Sequence, residues 1–164
     1  MDREKFSQGI TFSAYLNKMS ASRRDGFVAN YELVKLEKED LSVLARLTCP
    51  IYVVAFSEDW CGDCRINLPV LVKLAEASCC LEVRCFSLEE DRELANQLGV
   101  ERIPTFIFYN KNFEEIGRWV ERPAAVAQVL ANTDGEEKRN ARIAYNQGHF
   151  HEDTIDEILD ILHA

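Results

Sequence analysis

The chain has 164 residues, of which 47% are hydrophobic and 29% are charged, and it carries a formal net charge of −9 with a pI of about 4.9. This length and composition predict a globular protein rather than a disordered or fibrous chain. An acidic surface repels nucleic acid and anionic membranes, so we expect neither as a partner.

The N-terminal residues 1–12 are charged and contain no apolar run of signal-peptide length. No segment reaches the roughly 18 to 20 apolar residues of a membrane-spanning helix. These features predict a soluble, cytoplasmic protein. The six cysteines are then expected as thiols, because a reducing compartment does not maintain structural disulfides.

Apolar residues at helical spacing predict three helices, over 11–19, 27–34 and 41–47. The pattern then changes to a continuous β-branched and aromatic run at 50–57, which is typical of a buried strand. Downstream, the predicted elements are a helix that begins at 62 and contains Pro69, a strand over 81–87, a helix over 91–100, strands over 103–109 and 113–120, and helices over 123–132, 136–146 and 152–162. The order β-α-β-α-β-β-α predicts two parallel strands joined by a right-handed crossover, with a hairpin that completes the sheet.

Two cysteines, Cys61 and Cys64, lie where the predicted buried strand turns into a helix. Reaction sites in open α/β sheets collect at such carboxyl ends. Cys61 would stand at the first turn of the helix, where free N–H groups and the helix dipole favour a thiolate. Cys64 would be close enough to attack a disulfide formed on Cys61, which is what disulfide exchange requires.

A metal site and two functionless thiols are the competing interpretations. A structural zinc site commonly uses two pairs of ligands, whereas this sequence has one Cys-x-x-Cys motif. Cys79 and Cys80 are adjacent and would diverge in a helix. His149 and His151 lie far along the chain and are expected at the surface. We therefore favour redox chemistry and expect no metal.

Several motifs resemble thioredoxin: Trp60 before the cysteine pair, Pro69 after it, and the run 103–105 (IPT) at the start of a later strand. WCGDC together with GRWVERP (117–123) is similar to a group of bacterial thioredoxin-like proteins with helical extensions. The resemblance implies an α/β, thioredoxin-like fold with a minimal four-stranded mixed sheet flanked by helices and extra helices at both ends. It implies a single domain over 1–164, with a core at about 39–132, an N-terminal helical extension over 1–38 and a C-terminal one over 133–164.

By this resemblance Cys61 is the attacking thiol, Cys64 the resolving thiol and Pro104 a cis-proline that faces them. The backbone of Ile103 would pair with an extended substrate chain. The residues expected to contact substrate are, in chain order, Trp60, Gly62, Asp63, Ile103 and Pro104.

The cysteine motif departs from thioredoxin at Gly62-Asp63, where thioredoxin has Gly-Pro. A carboxylate there disfavours a nearby thiolate, while the helix N-terminus and Arg65 favour it. We expect an apparent pKa of about 6 to 8 for Cys61.

The surroundings of the motif depart as well. Ala55 stands where thioredoxin has a buried aspartate that takes the proton of the resolving cysteine, and Cys85 where it has a partner lysine. Ser57 replaces a tryptophan. Glu58 and Asp59 are expected as solvated loop charges, so no local base would take the proton of Cys64. We therefore expect the attack of Cys64 on a mixed disulfide at Cys61 to depend steeply on pH.

Two further groups have simpler interpretations. The remaining cysteines, Cys49, Cys79, Cys80 and Cys85, are expected as small buried hydrophobic residues. The segment 118–123 is either an interaction loop or an ion pair and helix cap, and the sequence does not choose between them.

The predicted function is thiol–disulfide oxidoreductase, acting as a cytoplasmic disulfide reductase without a bound cofactor. The expected substrate is a disulfide-containing protein or a low-molecular-weight disulfide, and the electron donor is a reductase or a small thiol. The alternative is a thioredoxin-fold protein-binding or redox-sensing module without catalytic turnover.

Overall fold

The computed structural model describes residues 1–163, which form nine helices and four strands. The N-terminal helices are α1 (Arg3–Gln8), α2 (Phe12–Asn17), α3 (Ala21–Leu33) and α4 (Lys38–Leu44). The central elements are β1 (Ile51–Phe56), α5 (Gly62–Glu76), β2 (Leu81–Phe86), α6 (Arg92–Gln97), β3 (Thr105–Tyr109) and β4 (Glu115–Val120). The C-terminal helices are α7 (Ala124–Asn132), α8 (Gly135–Asn146) and α9 (His151–His163).

The four strands form one mixed sheet in the order β2-β1-β3-β4. β1 and β2 are parallel and α5 connects them, while β3 is antiparallel to both β1 and β4. Every residue of β1 and β3 is buried, because these central strands are covered on both faces. The predicted mixed four-stranded sheet is confirmed.

Helices cover both faces of the sheet. On one face α5 packs between α3 and α9, and the fully buried side chains of Phe27, Leu71 and Ile158 belong to the same apolar cluster. On the other face α1 contributes Phe6, which is 1% exposed, to a cluster with residues of β1 and α6. Burial of a phenylalanine side chain stabilises the fold by about 1.5–3 kcal/mol, so the terminal helices are integral to the core.

The outer edge of β2 is covered by the N-terminal segment. The backbones of Ile10 and Cys85 exchange two hydrogen bonds, of 3.0 and 2.8 Å, in an isolated antiparallel bridge. This contact occupies part of an edge that would otherwise be open to pairing with another chain. The helix predicted over 27–34 is observed as α3, which begins earlier, at Ala21.

The helix α1 was not predicted, because six residues with one buried side chain show no apolar period. Pro69 lies inside α5 as expected, and Pro123 is the N-cap of α7. Within residues 1–163, no helix combines the length and the apolar character that a membrane span requires. The division into a core and two extensions stays a prediction.

Candidate active site

Cys61 is the N-cap residue of α5, directly after the loop that follows β1. Its Sγ accepts a hydrogen bond from the Cys64 backbone N–H at 3.1 Å, as the side-chain oxygen of a serine or aspartate does at other helix N-termini. As a thiol it donates to the Ile103 carbonyl oxygen at 3.7 Å. The free N–H groups and the dipole of this helix end stabilise a negative charge on the sulfur.

The two thiols have opposite pKa shifts. The pKa of Cys61 is lowered, first because the Cys64 thiol donates a hydrogen bond to it and then through the Cys64 backbone N–H, while burial and the Asp63 charge act against this. The pKa of Cys64, which is fully buried, is raised by burial and by its hydrogen bond to Cys61. One thiol is therefore prepared as a thiolate and the other is held protonated.

The predicted substrate-contact residues come together around Cys61. Trp60 is 57% exposed, and a Cβ placed on Gly62 would have no neighbour within 4 Å. On the opposite side, the Ile103–Pro104 peptide bond is cis, and the Pro104 carbonyl accepts from the Glu121 N–H at 2.7 Å. Cys61 itself is 8% exposed, and its sulfur lies 3.7 Å from the Ile103 carbonyl oxygen.

Arg122 neutralises Asp63, and sequence reasoning missed this. Its Nη2 lies 2.8 Å from Asp63 Oδ2 and 2.9 Å from Glu121 Oε1. The predicted cation, Arg65, instead lies against Gly26 of α3, where a Cβ would collide with its side chain. The sequence signal for this pair is Asp63 itself, because a carboxylate next to a thiolate requires a nearby cation.

The segment 118–123 contains an ion pair, Arg122 with Asp63, and it adjoins a helix cap supplied by α9; its role as an interaction loop stays a prediction. Trp119 is buried, stacks on Phe106, and donates from Nε1 to Glu157 at 2.6 Å. The same Glu157 carboxylate accepts from the Ala124 N–H at 2.6 Å. A carboxylate from α9 thus caps α7 and joins it to β4.

The C-terminal helices reach α5 one turn beyond the cysteines. Asn67, which is fully buried, donates from Nδ2 to the Tyr145 hydroxyl at 2.6 Å and accepts from the Thr154 hydroxyl at 2.9 Å. A buried amide with satisfied partners fixes the relative position of the helices that supply them. This network was also missed, because no sequence spacing connects its members.

The acids that precede the cysteine pair are engaged, which corrects the expectation of solvated loop charges. Glu58 accepts from the Ser87 hydroxyl at 2.7 Å and from the Glu89 N–H at 2.9 Å. Asp59 pairs with Arg23 of α3 at 2.5 Å. Ala55 is fully buried opposite Cys85 in the β1–β2 register, so no carboxylate occupies that position.

The expectation that the four other cysteines are buried is wrong for three of them. Cys49 and Cys79 are exposed and Cys80 is half-buried, because they lie in the turns that precede β1 and β2, at the end of the sheet opposite Cys61. Cys85 is buried as expected, and burial raises its pKa to about 12.

His151 is buried rather than at the surface, since it begins α9 and packs against Gly148. His149 is exposed as expected. Among residues 1–163 no group of three or more His, Cys, Asp or Glu side chains is arranged to hold a metal ion.

Known proteins with similar sequences identify the family. A sequence model described as Thioredoxin matches residues 9–157. The chain belongs to the thioredoxin family. It is 34% identical over 83 residues to thioredoxin-2 of Saccharomyces cerevisiae, a match that covers 50% of this chain and 79% of that protein. It is 33% identical over 126 residues to thioredoxin H2-1 of Oryza sativa subsp. japonica, which covers 76% of this chain and 91% of that protein.

A crystal structure of a protein of unknown function from Pseudomonas aeruginosa has the same fold, with a TM-score of 0.85 at 24% identity and coverage of 99% of this chain and 98% of that one. That similarity extends the fold over both sets of terminal helices. The predicted thioredoxin-like family and fold are confirmed. Membership of the thioredoxin family supports thiol–disulfide oxidoreductase chemistry in general, with disulfide substrates and a reducing partner.

Proposed function

We propose that this thioredoxin-family protein is a disulfide reductase in which Cys61 attacks and Cys64 resolves. The observation that carries the proposal is the pairing of a thiol with a lowered pKa at the N-cap of α5 and a buried thiol with a raised pKa one turn later. Only the thiolate is nucleophilic, so this arrangement orders the two steps.

In the first step the Cys61 thiolate attacks a substrate disulfide, a new S–S bond joins Cys61 to one substrate sulfur, and the other leaves as a thiolate that takes up a proton. In the second step Cys64 loses its proton and attacks Cys61 Sγ. The mixed disulfide breaks, the second substrate thiolate leaves, and a Cys61–Cys64 disulfide forms. The substrate gains two electrons and two protons, and a reductase or a small thiol returns the pair to the dithiol form.

The approach side of Cys61 supports a peptide substrate. The Ile103 carbonyl, 3.7 Å from Cys61 Sγ, would place an extended chain bound along Ile103 next to the nucleophile. The exposed ring of Trp60 would contact that chain on the other side. Gly62, where no side chain occupies the surface, leaves room for it, and Asp63 and Pro104 would border the contact.

We place the protein in the cytoplasm. The four cysteines outside the motif are thiols, two of them exposed, and exposed thiols remain reduced in a compartment buffered by glutathione and thioredoxin. In that setting the cysteine pair would act as a reductant, with electrons supplied from outside the protein.

The test is to trap the mixed disulfide with a Cys64→Ser variant. Cys64→Ser should remain linked to its substrate through Cys61, and Cys61→Ser should capture nothing. The unmodified protein should reduce insulin disulfides over many turnovers when a reductant is supplied. Stoichiometric oxidation without turnover would reject the reductase and favour a redox-sensing module.

A further inference from the structure

Glu121, directly after β4, has a backbone conformation that its neighbours must hold. Its φ is 70°, in the left-handed region that a residue other than glycine adopts only when its surroundings fix it. Its N–H donates to the Pro104 carbonyl at 2.7 Å, and its own carbonyl accepts from Asn67 Nδ2 at 3.4 Å. Since the adjacent Ile103 carbonyl lies 3.7 Å from Cys61 Sγ, hydrogen bonds connect Asn67, through Glu121, to the backbone beside the nucleophile.

Asn67 is itself fixed by three shorter hydrogen bonds. Its side chain is fully buried, and Nδ2 donates to the Asp63 carbonyl at 3.0 Å and to the Tyr145 hydroxyl at 2.6 Å. Its Oδ1 accepts from the Thr154 hydroxyl at 2.9 Å. The two N–H groups of the amide are shared among three acceptors, as in a bifurcated bond. The shorter bonds therefore set the position from which the amide reaches Glu121.

The other contacts of Glu121 hold its side chain rather than its backbone. The carboxylate pairs with Arg102 at 3.3 Å and with Arg122 at 2.9 Å. The Arg102 side chain is 71% exposed, and pairs of this kind are weak because water screens the charges. The buried amide of Asn67 is the firmer support for the unusual backbone conformation, since a buried carbonyl that loses its donor has no water to replace it.

We propose that Asn67 is a positioning residue, which holds the Glu121 backbone and thereby sets the Ile103–Pro104 edge at the distance from Cys61 that a peptide disulfide requires. The inference rests on the proposed function, in which a substrate chain lies along Ile103. Because Asn67 is fully buried, it does not touch the substrate and acts through Glu121. A small disulfide has no chain to lie along this edge, so its reaction with Cys61 should not depend on Asn67.

The inference gives the C-terminal extension a role in substrate selectivity. Tyr145 belongs to α8 and Thr154 to α9, and both orient the Asn67 amide. The position of these two helices is thus transmitted to the edge beside Cys61 by hydrogen bonds.

The experiment uses Asn67→Leu and Asn67→Ser, with the same substitutions of Asn30 as matched controls. Asn30 is a 6% exposed residue of α3, and its Nδ2 donates to the carbonyl four residues earlier at 3.0 Å, as Asn67 does within α5. Leucine keeps the volume and removes the amide. Serine can still bond to the carbonyl four residues earlier but is too short to reach Glu121, and this variant decides the test if the leucine variant does not fold.

Each protein, with Cys49, Cys79 and Cys80 replaced by serine, is reduced and mixed with one of two disulfides. One is a peptide disulfide with extended flanking residues, and the other is bis(2-hydroxyethyl) disulfide. Acid quenching and mass spectrometry give the second-order rate constant for loss of the dithiol form. The ratio of the two constants measures docking of the peptide, and a general loss of stability does not change it.

Both Asn67 variants should react about tenfold more slowly with the peptide disulfide, within the roughly hundredfold that a misplacement of about 1 Å can cost. Their rate constants with bis(2-hydroxyethyl) disulfide should equal that of the parent, because this substrate does not use the edge. Both Asn30 variants should match the parent with either disulfide.

The outcomes separate the positioning role from the proposed function. If the parent protein reacts with neither disulfide, the proposed function fails. If it reacts with both and the Asn67 variants keep the parent ratio, the positioning role is overturned and the function stands. Equal slowing with both disulfides, the same change of ratio in the Asn30 variants, or a parent that does not favour the peptide would also overturn the positioning role.

Discussion

Replacement of Arg122 by Met tests how the charge at position 63 is controlled. The change keeps the aliphatic length of the side chain and removes the guanidinium that lies 2.8 Å from Asp63 Oδ2. The side chains of Arg122 and Asp63 are 27% and 21% exposed, so the pair is neither a surface pair, worth about 0–1 kcal/mol, nor a fully buried one, whose rupture costs about 3–5 kcal/mol. We expect the free energy of unfolding to fall by about 1–3 kcal/mol.

The consequence for Cys61 follows from its neighbours. The Asp63 charge acts to raise the pKa of Cys61, and Arg122 offsets that charge. Without the arginine, the pKa of Cys61 should rise, because the Asp63 charge is no longer offset. A less stable thiolate destabilises the dithiol form, so the reduction potential should become more negative.

The pKa of Cys61 is measured from the ultraviolet absorbance of its thiolate as the pH is varied, in a protein whose exposed cysteines are replaced by serine. The reduction potential of the cysteine pair is measured by equilibration with glutathione. Arg118→Met is the matched control. Arg118 lies in β4 and pairs with Glu115 at 2.7 Å rather than with Asp63. Asp63→Asn should lower the pKa of Cys61 and abolish the effect of Arg122→Met. A rise of the same size in Arg118→Met, or one that persists beside Asp63→Asn, would refute the electrostatic reasoning.

Three further outcomes are expected. Near pH 6.5, iodoacetamide should label Cys61 before any other cysteine, as peptide mapping will show; faster labelling elsewhere would reject it as the nucleophile. Burial lowers the pKa of His151, so the unfolded chain binds a proton more readily than the folded one. Stability that is present above about pH 6.5 is therefore lost as the pH falls. His151→Leu should reduce the difference in unfolding free energy between pH 7.5 and pH 5, measured by denaturant titration, and an unchanged difference would contradict this. Gly9→Ala places a Cβ against the Phe86 ring, 2.6 Å from Cζ, and should lower the free energy of unfolding by about 1–3 kcal/mol. Its thermal midpoint should be lower than that of Gly62→Ala, whose Cβ has no neighbour within 4 Å. Equal midpoints would show that the Phe86 ring moves aside freely.

The elements that could be predicted are those whose signal is local. The run 51–56 is continuously apolar because β1 is buried on both faces, and a motif that follows such a strand must lie at the carboxyl edge of the sheet. The position of Cys61 at a helix N-terminus therefore follows from the sequence alone. Local periodicity carries this information at any position along a chain.

The contacts that tune the site could not be predicted, because they join distant residues. Tyr15 and Ser57 are 42 positions apart, and Asp63 and Arg122 are 59 apart. Which partner a buried polar group finds depends on how the helices pack, and many pairings satisfy the same composition. The error at His151 has the same origin, since a polar residue at a helix start is buried here by the close approach of Gly148.

The packing of α5 bears on where the functional unit ends. The apolar face of α5 packs against α3 of the N-terminal extension and against α9 of the C-terminal extension. Phe27 of α3 and Ile158 of α9 are fully buried. A fragment over residues 39–132 would expose that face. It would also lose the Tyr15 hydroxyl that bonds to Ser57 and the Tyr145 and Thr154 partners of Asn67. Because the same helix carries both cysteines at its N-terminus, the extensions that complete its core also fix the surroundings of its thiols. We infer that the reactive unit is the sheet together with both extensions, and that the thioredoxin core is not separable from them.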